Sequence, residues 1–195
     1  MRGKRMNRKH KWFVKVQALY MAALITLAAL CQPVRVQAAE VVQPSLGIDV
    51  SRYQGQIDWA QVAASGVQFA MIRVGYRTQN TGVLNEDPYA RYNLQEATKA
   101  GIKVGAYFFS SAVNAQEAVE EAEFTANILD KYQITYPVAY DCEGFRNSTS
   151  RQYALGKDVR TALAVGFLDV IAQRGYTPMS VSYTHLRAHE TLRHL

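Results

Sequence analysis

Short apolar runs punctuate the chain at 46–50, 69–74, 104–109, 137–140 and, more weakly, 179–183. Between them lie segments whose apolar residues recur at helical spacing, over 58–64, 88–100, 114–131 and 151–174. The last is the clearest, with Leu155, Val159, Ala162, Leu163, Gly166, Leu168, Val170 and Ile171 on one face. Gly66, Gly101 and Gly175 each follow a helix and precede a run, where a chain leaves its helix through the left-handed region. Pro88 suits a first helical turn, with Glu86 and Asp87 placed to complement the helix dipole. Successive runs stand about 35 residues apart, and strands alternating with helices at that interval predict parallel βα units. Such units build either an open doubly wound sheet or a closed barrel.

The ends of the runs decide between the two. Asp49 closes the first, Arg73 lies late in the second, Tyr107 late in the third, and Asp141 and Glu143 follow the fourth. Barrel enzymes assemble their sites at the carboxyl ends of the strands, so polar residues there on several strands favour an α/β fold of the TIM-type (β/α) barrel over the open sheet. No GxGxxG or GxxxxGK[ST] pattern occurs, which removes the two common phosphate-cradling loops.

Asp141-Cys142-Glu143 is the sharpest chemical feature. Two residues apart on an extended chain, the carboxyls face one side and Cys142 the other. Like charges so close disfavour double ionisation, so one carboxyl is expected to stay protonated near neutral pH. That equips the pair for general-acid attack on a glycosidic bond. The same tripeptide also occurs as a solvated strand end or helix cap, and its place after an apolar run tips the balance towards chemistry.

Tyr53, Tyr76, Tyr107, Phe108, Phe109 and Tyr140 could offer a sugar-stacking surface. Aromatics in strands are more often core, so only those at strand ends qualify, namely Tyr76, Tyr107 and Tyr140 as substrate-binding candidates. Arg73 is either a substrate contact or the partner of an acid. Cys142 has no nearby His and is not expected to be a nucleophile.

Charge changes the picture at the N-terminus. The whole chain carries a formal net charge of +6. Residues 1–38 hold eight of the 22 basic side chains and no acidic one; the remaining 14 face 16 acidic residues, so the body is at −2. That removes the argument for a nucleic-acid partner. The leader runs from a positive stretch through 14 apolar residues (18–31) to Val36-Gln-Ala38, the order of a secretory signal peptide cleaved after Ala38. An uncleaved anchor is the alternative, yet 14 residues make only about 21 Å of helix against a hydrocarbon core of about 30 Å. Contact with the membrane is then expected only through the leader during export. Cys31 follows the bulky Leu30 and does not suit a lipid-attachment site. Cleavage leaves Cys142 alone, so no intrachain disulfide forms and the exported domain must fold on its core.

Gly47-Ile-Asp-Val-Ser-Arg-Tyr-Gln-Gly-Gln-Ile-Asp-Trp59 resembles the opening of the glycoside hydrolase family 25 lysozymes, the Chalaropsis type. The similarity continues through 69–76, 101–109 and 137–143, and the ordered set is specific where each motif alone is not. The resemblance implies a modified βα barrel that cleaves the β-1,4 bond between N-acetylmuramic acid and N-acetylglucosamine. It makes peptidoglycan glycan strands the partner and the cell wall or extracellular space the location. Carried over by position, Glu143 matches the general acid, Asp141 the residue that assists the substrate acetamido group, and Asp49 the first-strand acid. A substrate-assisted route, in which the N-acetyl oxygen attacks the anomeric carbon, is the family's favoured proposal. No metal or organic cofactor is implied.

The family's closing strands, with a further tyrosine-rich strand, a Trp-Gln-Tyr segment and a late Asp, have no counterpart here. The expected organisation is a leader over 1–38, a linker over 39–45, and the N-terminal part of the barrel over 46–180. That part suffices for about five of eight strands. Residues 181–195 lack the strand–loop–helix rhythm and read as a non-native tail, as translated adapter sequence would. The His185/His189 spacing in that tail is not supported as a metal site by any acidic or Cys ligand pattern. Impaired activity follows as an expectation. A chitinase-like hydrolase with the same carboxylate motif, or a non-catalytic glycan-binding module, would use the same groove.

Overall fold

A computed structural model describes residues 45–181. The leader, most of the linker and the tail from 182, with its histidines, lie outside the described residues. Six strands form one sheet: β1 (Gly47–Val50), β2 (Phe69–Arg77), β3 (Leu84–Glu86), β4 (Lys103–Phe109), β5 (Val138–Asp141) and β6 (Pro178–Val181). The order is β1-β2-β4-β5-β6, all parallel, with β3 antiparallel to the far end of β2. Among the described residues β1 pairs only with β2 in this parallel series and β6 only with β5, so the barrel is not closed. The parallel strands fall where the apolar runs place them. The short β3 hairpin, which continues β1's side of β2 beyond the end of β1, has no apolar run to announce it.

Four helices lie between the strands: α1 (Trp59–Ala64), α2 (Ala90–Lys99), α3 (Ala115–Leu129) and α4 (Lys157–Gln173). Asp58 caps α1 by accepting from the backbone N–H of Ala60 and Gln61, both at 3.1 Å. Asn114 caps α3 by accepting from Glu117 N at 3.0 Å. Gly66, Gly101 and Gly175 have φ of 90°, 79° and 86°, the left-handed exits that their positions imply.

Two helix starts differ from the sequence reading. α2 begins at Ala90, two residues after Pro88; Asp87 accepts from Tyr89 N through Oδ1 ahead of the helix, while its Oδ2 is held in the interior by Arg73. α4 begins at Lys157, since 151–154 form a turn that buries its own Gln152. Its buried face is Leu163, Phe167 and Ile171, so Phe167 belongs to the stripe and Val159, 43 % exposed, does not.

Alternation along the strands separates two faces. Ile72, Val74, Val104, Ala106, Phe108, Val138 and Tyr140 are buried against the helices, among Leu94, Ala122, Leu163 and Phe167. On the other face, Phe69 stacks on Tyr136 at 4.7 Å, its ring filling the space beside Gly47. Gly105 has no room for a Cβ, which would stand 2.5 Å from Met71 Sδ. Bulky rings therefore fill the amino-terminal end of the inner face and leave the carboxyl end open.

A bulge in β2 re-aims its last residues. Pairing with β4 runs Arg73↔Tyr107 and then Gly75↔Phe108, so Val74 is the extra residue. Tyr76 is thereby returned to the inner face opposite Phe109, and Arg77 turns outward to α3.

Candidate active site

Asp49, Tyr107, Asp141 and Glu143 line one cleft of about 370 Å³ with Met71, Ala139, Met179 and Val181. The register explains the convergence. Asp49 pairs with Met71, Met71 with Gly105, Tyr107 with Ala139 and Asp141 with Val181, all with side chains on the inner face. Three carboxylates that lie up to 94 positions apart thus meet at the carboxyl end of the sheet.

The cleft punishes charge. Burial, reinforced by Glu143 and Asp49, pushes the Asp141 carboxyl up to about 7, with Arg73 pulling the other way. Its Oδ1 is buried and meets no protein donor. Burial likewise raises the Tyr107 hydroxyl to about 12, opposed by Arg73, so it remains a neutral phenol. The carboxyl held protonated near neutral pH is therefore that of Asp141.

Cys142 alternates away from the acids as the tripeptide spacing requires. It is buried, 3.7 Å from Gln152 Oε1, and burial raises its thiol above the ordinary range. Gln152 is fully buried and donates through Nε2 to the Ala112 carbonyl at 2.9 Å. Gly144, the residue after Glu143, rests against the same group: a Cβ there would stand 2.6 Å from Gln152 Oε1. Gln152 thus braces the turn that carries Glu143, a role no sequence motif signals.

The remaining candidates part company. Tyr140 is 2 % exposed and faces the helix layer, its ring 5.2 Å from Phe167, so it packs the core and does not line the cleft. Arg73 is 7 % exposed and donates from Nε to Asp87 Oδ2 at 2.8 Å. Its partner is thus an acid, but one from the start of α2 and none of the strand-end acids. Tyr76 lines a second cleft of about 460 Å³ with Arg52, Tyr53, Arg73, Arg77, Gln79 and Phe109. Arg52 sits 5.2 Å over the Tyr53 ring and 4.9 Å over the Tyr76 ring, and Arg73 is 5.2 Å from both.

A buried ionic group lies behind the site. Arg77 Nε donates to Glu121 Oε1 at 2.8 Å, Nη1 to the Gly82 carbonyl at 2.8 Å and Nη2 to Glu120 Oε2 at 3.1 Å. Glu121 also accepts from Ser110 Oγ at 2.5 Å, and burial pushes it up to about 7. The cluster ties β2, the β3 hairpin and α3 together. Among the described residues no group of three or more His, Cys, Asp or Glu side chains is arranged to hold a metal ion.

Comparison with known proteins places this geometry. The model for "Glycosyl hydrolases family 25" matches residues 48–193. Lysozyme M1 of Streptomyces globisporus is 37 % identical over 81 residues, covering 42 % of this chain and 26 % of that protein. The modular autolysin LytC of Streptococcus pneumoniae, solved with a synthetic peptidoglycan ligand, is 27 % identical with a TM-score of 0.62, over 73 % of this chain and 33 % of that one. A family 25 glycosyl hydrolase from Bacillus anthracis shares the fold at 22 % identity and a TM-score of 0.57, over 70 % of this chain and 59 % of that one. The matched part thus spans about a quarter to a third of the length of lysozyme M1 and LytC. The match over 48–193 shows that this chain belongs to glycosyl hydrolases family 25.

Proposed function

We propose that the chain is a peptidoglycan hydrolase that cleaves the β-1,4 bond between N-acetylmuramic acid and N-acetylglucosamine. The observation that carries this reading is the meeting of Asp49, Asp141 and Glu143 in one cleft at the carboxyl end of the sheet. The lysozyme named among its relatives, and the peptidoglycan ligand of LytC, support the substrate class.

In the free site the shared proton rests on Asp141, and seating the acetamido N–H on Asp141 Oδ1 passes it to Glu143. Glu143, at the end of the strand extension, delivers it to the glycosidic oxygen as the bond to the anomeric carbon breaks. The substrate N-acetyl oxygen attacks that carbon, forming a cyclic oxazolinium. Asp141 Oδ1, buried without a protein partner, accepts the acetamido N–H and stabilises the positive charge that develops. Glu143, now ionised, takes a proton from water as the water opens the ring, and the anomeric configuration is retained. This departs from the two-carboxylate scheme, because the nucleophile belongs to the substrate. Asp49 adds negative charge on the first-strand wall. Among the described residues the sheet is open between β1 and β6, and a glycan held only from that side is expected to turn over more slowly than in a closed barrel.

Glu143→Gln in the full chain tests the assignment. Release of reducing ends from peptidoglycan is expected to fall at least about a hundredfold while sedimentation with the insoluble wall persists. Undiminished release by the variant would remove Glu143 from the chemistry. Products from N-acetylglucosamine polymer alone would favour a chitinase-like activity. Export follows from the leader: the mature protein recovered from culture medium is expected to begin at Ala39.

A further inference from the structure

We propose that Arg52, held on Tyr53 and Tyr76, is an anion subsite for a carboxylate carried on the 3-O-lactyl arm of the glycan. The inference rests on the peptidoglycan reading above and extends it to what stands beside the cleaved bond.

Arg52 Nη1 donates to the Tyr76 hydroxyl at 2.7 Å, and its guanidinium lies over both tyrosine rings. Among the described residues no carboxylate forms an ion pair with that guanidinium, and Asp87 meets only the Arg52 backbone N–H, at 2.9 Å. Arg73, the other cation of the stack, is neutralised by Asp87. A solvated surface arginine spends entropy to be ordered. Here the tyrosines already hold the fork, which lowers the cost of binding a planar anion. Tyr53 is 75 % exposed, so the platform is open to an incoming chain.

The platform adjoins the acid cleft. Arg73, on the platform side, is the register partner of Tyr107, which lines the acid cleft. Phe109, on the platform side, is the register partner of Asp141. Gln79 in the same wall accepts from Asn147 Nδ2 at 3.1 Å, on the turn that follows Glu143. A sugar seated at the acids therefore lies beside the wall of Arg73 and Phe109 that the platform shares. On a glycan of alternating N-acetylglucosamine and N-acetylmuramic acid, the substituent that carries negative charge is the lactyl arm, through its own carboxylate or those of an attached peptide. Arg52 pairs with planar carboxylates in two parallel hydrogen bonds, which lysine cannot do.

The test compares binding of the full chain and of Arg52→Ala and Arg52→Lys on three insoluble probes at pH 7. These are intact peptidoglycan, peptidoglycan stripped of peptides by an amidase, and N-acetylglucosamine polymer, which has no lactyl arm. Arg52→Ala is expected to weaken binding to peptidoglycan about three- to tenfold at low salt, with the difference shrinking in high salt. Arg52→Lys recovers only part of it. A loss on intact material alone assigns the carboxylate to the peptide; a loss on stripped material alone assigns it to the lactyl group, whose carboxyl is amide-bonded in intact strands; a loss on both shows that the subsite takes either. Equal binding by the native chain and Arg52→Ala on peptidoglycan, or an equal loss on N-acetylglucosamine polymer, overturns the subsite. Arg52-dependent binding without release of reducing ends would sink hydrolysis and keep the subsite. Normal turnover with no Arg52 dependence would do the reverse. A native chain that binds none of the probes overturns both.

Discussion

Asp87 Oδ2 accepts from Arg73 Nε at 2.8 Å, with the Asp87 side chain wholly out of solvent. The same oxygen accepts from the Arg52 backbone N–H, and Asp87 Oδ1 accepts from Tyr89 N at 3.0 Å. One carboxylate thus joins the inner face of β2, the turn after β1 and the approach to α2. Asp87→Ala leaves Arg73 charged and buried without its ion-pair partner. A loss of about 3–5 kcal/mol in stability is expected from denaturant unfolding. The double replacement Arg73→Met/Asp87→Leu is expected to cost less than Asp87→Ala alone, because neither charge is then stranded.

Asp141 has a stability signature of its own. Its folded carboxyl titrates near 7, above the ordinary value of 3.8. Between those values the folded chain binds a proton that the unfolded chain has lost. Its contribution to stability is therefore full below about pH 4 and is lost as pH rises through about 7. Glu121, also raised to about 7, acts in the same direction. Asp141→Asn is expected to remove part of this decline. Its Tm should match the native chain near pH 4 and exceed it at pH 7, measured by thermal unfolding across that range. A native Tm that does not fall between those values would contradict the assignment.

Gly144 holds the turn that carries Glu143. A Cβ there would stand 2.5 Å from Ser150 Oγ and 2.6 Å from Gln152 Oε1. Gln152 cannot swing aside, because it is fully buried and its Nε2 is engaged with Ala112. Gly144→Ala must therefore displace the turn. We expect kcat to fall between about ten- and a hundredfold with KM little changed, read from steady-state kinetics on solubilised glycan.

Val74 tests the bulge. Deleting it lets Gly75 follow Arg73 directly, so Gly75, Tyr76 and Arg77 keep their faces and Arg77 keeps Glu121. What is lost is the buried Val74 side chain and the carbonyl that accepts from Asp87 N. The deletion is expected to lower the unfolding midpoint while unfolding, followed by circular dichroism, stays cooperative. Val74→Ala keeps the register and is expected to lose only about 1–3 kcal/mol.

Much of this protein was legible along the chain because the relevant forces are local. Period-two and period-3.6 apolar spacing reports which face each element buries, and glycine at a helix exit reports a backbone angle. Alternation alone put Asp141 and Glu143 on one side and Cys142 on the other, since it depends on neighbours two residues away. Other features depend on partners far off in sequence, and only the tertiary structure decided them. Tyr140 and Tyr107 both lie late in strands, yet one packs on Phe167 and the other lines the cleft. The parity of its own strand relative to the helix layer makes that choice. The bulge at Val74 reverses parity within β2, and no local pattern announces it. Asp87 has the sequence of a helix-start acid and accepts from Tyr89 N, but its second oxygen is taken by a buried arginine 14 positions earlier, which no local pattern announces. Desolvation makes an unpaired buried charge cost more than a helix-dipole contact returns, and a charge meets its partner only after the chain has folded.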